Sequence, residues 1–309
     1  MKVLVVGGCG YVGGAVTDIL IKKKINFTVY DNLLYEDKYP KKNKFIFGDI
    51  MDNEKLNKLY KEFDCVIWIA ALVGDGACNI NPSLTYNLNF KSVQNLSKNF
   101  NGRIIFFSTC SVYGAQEGML YENSKTNPLS LYASTKLKAE GVLISKNSII
   151  FRLGTLFGLS DEFSRIRMDL VVNTLTVKAH IENKIEIFGG EQFRPLLHVK
   201  DAAYAIYKSI DSDVKGIFNL SYDNFKIIDL AQKIKKFYSN LNIIITDIPF
   251  QDARNYKVDN SRVREKLGFE AKITVEEGIE EIKNLIVENR IKDVFDARYT
   301  NQKFLMGKL

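Results

Sequence analysis

Short apolar runs rich in β-branched residues alternate with longer amphipathic stretches through the first half of the chain. Positions 2–6, 26–30, 44–47, 64–70, 103–107 and 148–152 predict strands, and the patterns near 11–24, 52–62, 83–99 and 129–145 predict helices between them. Crossovers of this length imply a parallel, doubly wound α/β sheet, whose functional groups gather at the carboxyl ends of its strands. Beyond residue 152 the pattern loosens into a loop at 154–164, a helix at 165–179 and a strand at 184–188. A strand then leads into a helix from 199. Further strands are expected at 216–221 and 242–246, a helix at 227–239, and two helices within 260–289. The expected organisation is a sheet domain at 1–155 that takes back segments near 191–221 and 241–248. It is interleaved with a smaller mixed α/β substrate lobe at 156–309, and no repeat interrupts either.

Composition narrows this little. The chain has 309 residues, 46% of them hydrophobic, ample for one or two cores. Its +7 charge comes from scattered lysines, which suits a solvated surface better than a nucleic-acid site. Cys9, Cys65, Cys78 and Cys110 form no C-x-x-C pair, and His180 and His198 are the only histidines, so neither a disulfide scaffold nor a metal site is expected. The first apolar run is broken by glycines after Val6, too soon for a leader, and no run reaches membrane-spanning length. A cytoplasmic protein without a membrane partner is the expectation.

The run VLVVGGCGYVGGAV places Gly7, Gly10 and Gly13 after the first strand and at the start of the first helix, with Tyr11 and Val12 in the turn. One glycine allows the sharp reversal, a second lets backbone approach a diphosphate at the helix N-terminus, and a third lets helix pack on strand. A glycine-rich loop without ligand is the alternative. Asp31 argues against it, because it ends the second strand where a carboxylate would hydrogen-bond a ribose hydroxyl. It would repel a 2′-phosphate, and Asn32-Leu33-Leu34 supplies no arginine to hold one, so NAD(H) is expected over NADP(H). Asp49 and Ile50, after the third strand, are candidates for the adenine. Asp49 could instead cap the next helix, although Asp52 suits that cap better.

Two further stretches carry chemistry. STCSVYG, 108–114, closes the strand at 103–107 with hydroxyls, and Thr109 is best placed to meet a substrate oxygen. Tyr132 and Lys136 are four apart, on one helix face. An ammonium beside a phenol favours the phenolate, which can take a proton from an alcohol while hydride leaves the same carbon. Alone, such a pair is a common surface feature; with the glycine turn it becomes a candidate catalytic base and its partner.

Together, Gly7-x-x-Gly10-x-x-Gly13, the Ser/Thr strand end before Val112-Tyr113-Gly114, Tyr132-x-x-x-Lys136 and Phe193-Arg194-Pro195 before His198-Val199-Lys200-Asp201 resemble the extended short-chain dehydrogenase/reductase family. The match is to its nucleotide-sugar epimerase/dehydratase branch and covers nearly the whole chain. The resemblance implies a Rossmann-type domain, with Thr109, Tyr132 and Lys136 as catalytic residues. Ala70, Ala71, Leu72 and Asn89 would be cofactor contacts. Asn173, Arg194 and Arg254 would grip the substrate diphosphate, with surface ion pairing the alternative for the arginines. Arg165 and Arg167 are further basic candidates beside them. Gly154 and Thr155 would approach ligand closely, and His198 would be structural.

The departures are informative. Relatives that eliminate water carry Asp-Glu after the catalytic threonine, whereas this chain has Cys110 and Ser111, so 4,6-dehydration is not expected. Cys110 and Ser111 are instead candidate substrate contacts, with packing the alternative for Cys110. The resemblance implies NAD-dependent oxidation of a hydroxyl, C4 above all, of a nucleotide-linked hexose or heptose, as dehydrogenase or 4-epimerase. A 4-keto-sugar reductase and a non-catalytic NAD(H)-binding regulator are the alternatives. The Lys-, Asn- and Ile-rich composition suggests a bacterial enzyme of surface polysaccharide precursor synthesis. A homodimer built on helices 83–99 and 129–145 is also implied; Leu84, Leu88 and Val93 would serve it, or would face the sheet.

Overall fold

A run such as Val3-Leu4-Val5-Val6, buried at every position, can only lie where both faces of a sheet are covered. The computed structural model, which describes residues 1–161, 165–246 and 255–308, has that arrangement. Its strands in chain order begin with β1 (Val3–Val6), β2 (Phe27–Asp31), β3 (Lys44–Phe47), β4 (Cys65–Trp68), β5 (Arg103–Thr109), β6 (Ala115–Leu120) and β7 (Ser148–Leu153). They continue with β8 (Thr155–Phe157), β9 (Lys184–Phe188), β10 (Phe193–His198), β11 (Gly216–Leu220), β12 (Asp223–Lys226), β13 (Asn242–Thr246) and β14 (Asn255–Val258). Seven form one parallel sheet in the order β11-β7-β5-β4-β1-β2-β3. The strand order reverses between β1 and β4, and a ligand crevice opens at such a point.

The helices of the sheet domain are α1 (Tyr11–Lys22), α2 (Asn53–Leu59), α3 (Asp75–Ile80), α4 (Pro82–Tyr86), α5 (Ser92–Asn99) and α6 (Leu131–Leu143). After them come α7 (Val171–Glu182), α8 (Val199–Ile210), α9 (Ile227–Lys235), α10 (Ser261–Leu267), α11 (Val275–Val287) and α12 (Asn301–Met306). Helices α1 and α8 cover one face of the sheet through Val16, Leu20, Ala202 and Ile206. Helices α2, α5 and α6 cover the other through Leu56, Val93, Leu96, Ala139 and Leu143. Leu84 and Leu88 are half-buried and pack against the α3 cluster and Tyr132.

The second lobe combines a three-stranded sheet, β12-β10-β8, with the pairs β13-β9 and β14-β6. The segment Gly216–Leu220 returns to the edge of the main sheet as β11. The segment Asn242–Thr246 does not; it pairs with Lys184–Phe188 in the second lobe. The expected loop at 154–164 contains β8, which pairs with β10. Helix α7 starts six residues later than the helix expected from 165, because the backbone there is claimed by the C-terminal segment: the Met168 amide donates to the Tyr299 carbonyl at 2.9 Å. Strand β6, helix α3 and helix α12 were not expected.

The motif after β10 ties the lobes together. His198 is fully buried, accepts the Lys200 amide on Nδ1 and meets Glu281 of α11 through Nε2 at 2.9 Å. Asp201 accepts the amides of Lys272 and Ile273 at 2.9 and 2.8 Å.

Candidate active site

The crevice between β1 and β4 opens into a cleft of about 1180 Å³, counting its mouth, that runs from the glycine turn to Tyr132 and Lys136. The turn is built as its glycines require. Gly7 has φ +89°, and a Cβ there would lie 2.5 Å from the Ala70 amide. A Cβ on Gly13 would lie 2.3 Å from the Gly7 carbonyl, so α1 packs on the turn only without a side chain. Gly10 differs: a Cβ would meet only the Gly7 carbonyl at 3.7 Å, which leaves its outer side open to the cleft. Helix α1 also begins without a side-chain cap, so its first amides are available to an anion.

Gly7, Gly10, Tyr11, Val12, Asp31, Asn32, Ile50, Ala70, Ala71 and Leu72 all line the cleft. The Asp31 carboxylate is oriented by the amides of Cys9 and Leu33 at 2.9 and 2.8 Å. Tyr11 anchors the turn to the second lobe by donating to the Gly158 carbonyl at 2.8 Å. Asp49 is exposed and does not line the cleft, and Asn89 stands behind its wall. Asp49 accepts from Asn32 and from the Met51 amide, while Asp52 caps α2. Asn89 lies in a π-helical turn, Asn87–Lys91, and clasps Leu72 through both its amide and its carbonyl, at 2.8 and 2.9 Å. It therefore shapes the cofactor wall through Leu72.

At the far end, Tyr132 and Lys136 project from α6 into the cleft. Thr109, at the end of β5, is buried and accepts the Ser111 amide at 3.1 Å. Lys136 donates to the Phe107 carbonyl at 2.8 Å and lies 4.6 Å over the Phe106 ring. Burial pushes the Tyr132 phenol up, Cys78 adds to this, and Arg167 opposes it. Burial pulls Lys136 down to about 8, which still leaves it mostly protonated at neutral pH. Arg167 keeps its charge; burial works against it, but Asp169 at 2.9 Å more than compensates.

The remaining candidates lie elsewhere. Cys110 is fully buried, its thiol donates to the Arg152 carbonyl at 3.1 Å, and burial pushes its pKa far up, so packing accounts for it. Ser111 is buried beside Thr109. Asn173 is fully buried and staples Gly158 and the Arg167 carbonyl, which makes it a brace for the loop rather than a cleft residue. Arg194 is buried on β10 and donates to the Phe193 carbonyl at 2.9 Å. Arg254 lies outside the described residues. Gly154 faces the Pro195 carbonyl, 2.8 Å from where a Cβ would stand, so strand packing explains it rather than a ligand.

Several residues carry weight that the sequence reading did not give them. Glu140 continues the four-residue spacing of Tyr132 and Lys136, and forms a buried pair with Arg152 at 2.7 Å. With Ser108 and Tyr113 this pair fixes the ends of β5, α6 and β7 behind the catalytic residues. Arg165, Arg167 and Asn301 line the cleft although they belong to the second lobe and the C-terminal helix. The four cysteines are free and buried, and no cluster of metal-ligating side chains occurs among the described residues. No described helix is long and apolar enough to cross a membrane.

The chain belongs to the NAD dependent epimerase/dehydratase family, whose profile it matches over residues 3–221, and NAD is its cofactor. It is 22% identical to the CDP-paratose 2-epimerase of Salmonella typhi, over 91% of this chain and 98% of that protein. It is 26% identical to a UDP-glucuronate 4-epimerase of Thermodesulfobacterium geofontis, over 93% and 96%. Its fold superposes on the UDP-glucose 4-epimerase of Thermotoga maritima with a TM-score of 0.83, covering 94% of this chain and all of that one at 22% identity.

Proposed function

We propose that the protein oxidises the C4 hydroxyl of a nucleotide-linked hexose or heptose and then reduces the ketone from its other face, as a 4-epimerase. The observation that carries this reading is that Tyr132 and Lys136, one helical turn apart on α6, line the same cleft as the glycine turn. Thr109, at the end of β5, would hold the sugar oxygen. Tyr132 takes the hydroxyl proton and later returns it. Arg167 supplies positive charge that favours the phenolate against the burial that opposes it. NAD, when bound, accepts hydride from the sugar carbon and gives it back.

Epimerisation is favoured over net dehydrogenation because it regenerates its own cofactor, and the second lobe is tied to the rim of this cleft. Asn301 of α12 bonds both Val73 beside the cleft and Arg165, closing the second lobe onto the sheet domain. An epimerase does not need to exchange reduced for oxidised cofactor at each turnover. The dehydratase reading has no support, since Cys110 and Ser111 are buried where an acid and base would be needed. A homodimer and a role in surface polysaccharide precursor synthesis complete the proposal, on family resemblance and composition.

The test is incubation of the purified protein with UDP-, GDP-, CDP- and dTDP-sugars, followed by product NMR. An inverted C4 centre without net NADH formation is the expected result. A 4-keto product accumulating with stoichiometric NADH would replace epimerase by dehydrogenase.

A further inference from the structure

Two arginines reach the cleft from the second lobe, and they differ in one respect. Arg167 is neutralised by Asp169. Arg165 has no carboxylate partner among the described residues. Its Nε donates to the Arg298 carbonyl at 3.0 Å, Nη1 bonds Asn301, and its guanidinium stacks 4.0 Å over the Tyr35 ring. Its remaining nitrogen, Nη2, is buried with no hydrogen-bond partner, in a side chain whose residue is only 7% exposed. An arginine held on three sides and unsatisfied on the fourth leaves a strong donor at a fixed position. Leaving such a charged edge unpaired in the interior is unfavourable.

The position of that edge indicates its partner. Tyr35, beneath the guanidinium, is four residues past Asp31, in the loop that follows the ribose carboxylate. The cleft's lining contains three cations: Lys136, Arg165 and Arg167. Lys136 is engaged with the Phe107 carbonyl and lies at the catalytic end, and Arg167 is paired. The glycine turn offers backbone amides and a helix end, but no charged side chain. A bound dinucleotide brings two negative charges to that turn, and Arg165 is the cation left to meet them.

We propose that Arg165 is a cofactor-binding residue contributed by the second lobe, its unpartnered Nη2 donating to a phosphate oxygen of the NAD diphosphate. The planar fork suits a diphosphate, and Tyr35 and Asn301 pre-orient it, so little side-chain freedom is lost on binding. The second lobe thereby contributes a side chain to the cofactor site.

The test uses calorimetric titration of the full-length protein, freed of bound nucleotide on charcoal, with ADP-ribose, adenosine and UDP as separate probes. Arg165→Met keeps the stem that stacks on Tyr35 and removes the donor. It is expected to weaken ADP-ribose by about tenfold or more, with adenosine and UDP within about twofold of wild type. Arg165→Lys keeps charge without the fork and is expected to fall between the two. Should the methionine variant not fold, the lysine variant carries the test, with a loss of about threefold or more confined to ADP-ribose. Unchanged ADP-ribose affinity overturns the proposal. An equal loss for adenosine assigns Arg165 to general packing, and a loss confined to UDP assigns it to the sugar nucleotide; either result also overturns it.

Discussion

The side-chain amide of Asn301 donates to the carbonyl of Val73 at 2.8 Å, across 228 residues of sequence. The contact joins the last helix to the loop after β4, where Leu72 and Val73 line the cleft. The Asn301 backbone amide meets Asp169 at 2.9 Å, and its side-chain oxygen meets Arg165. One residue thus pins both lobes at the cofactor's edge. Asn301→Ala is expected to speed NADH release about tenfold, read by stopped-flow nicotinamide fluorescence. An unchanged release rate would remove the C-terminal helix from the account of cofactor retention.

Glu36 lines the same cleft. Burial raises its carboxyl to about 7, with Arg165 opposing and neighbouring Asp37, Asp161 and Asp31 adding to the rise. Below that value the group is neutral; above it, a carboxylate competes with the cofactor diphosphate for Arg165. ADP-ribose affinity is therefore expected to fall as pH rises through about 7, by roughly three- to tenfold. Glu36→Gln should flatten the profile. A wild-type affinity independent of pH across this range would contradict the assignment.

The His198–Glu281 contact is a stability element. Burial pushes the Glu281 carboxyl up, but hydrogen bonds from His198, Lys200 and the Leu159 amide outweigh it and hold it at about 2. A carboxyl held lower in the folded than in the unfolded state stabilises above its unfolded value of about 4.5, and that contribution is lost as pH falls toward about 2. The contribution is on the order of 2–3 kcal/mol. Glu281→Gln should lower the melting temperature at neutral pH by several degrees, with the gap to wild type closing in acid. A gap that stays constant down to acid pH would mean that Glu281 acts by packing alone.

Much of this architecture was legible in the sequence because the parallel sheet is buried on both faces, so its strands read as unbroken apolar runs. β3, β9 and β13 have the boundaries their residues suggested, and Gly7 and Gly13 announced the turn because no side chain fits at either. The misreadings share a cause. The start of α7 was placed too early because helix propensity at 165–170 is overruled by hydrogen bonds to the C-terminal segment. Helix α12 is six residues long with no periodicity to speak of, and its importance lies in contacts hundreds of residues away. Residue type alone also cannot say on which side of a wall a side chain stands. Asn89, Cys110 and Asn173 have the chemistry of ligand contacts, yet in this structure they brace the loops that form the cleft. Arg165 and Arg167 could be noted as basic, but nothing local distinguished a cofactor cleft from a sugar pocket.

The central claim is that the Tyr132 phenolate removes the proton that permits hydride transfer. The most direct measurement is a single-turnover reaction of NAD-loaded enzyme with its sugar nucleotide, following the near-ultraviolet absorbance of reduced nicotinamide in wild type and Tyr132→Phe. The account expects transient reduction in wild type and a rate lower by about a thousandfold in the variant, with NAD still bound at wild-type affinity. Reduction at the wild-type rate in the phenylalanine variant would contradict it.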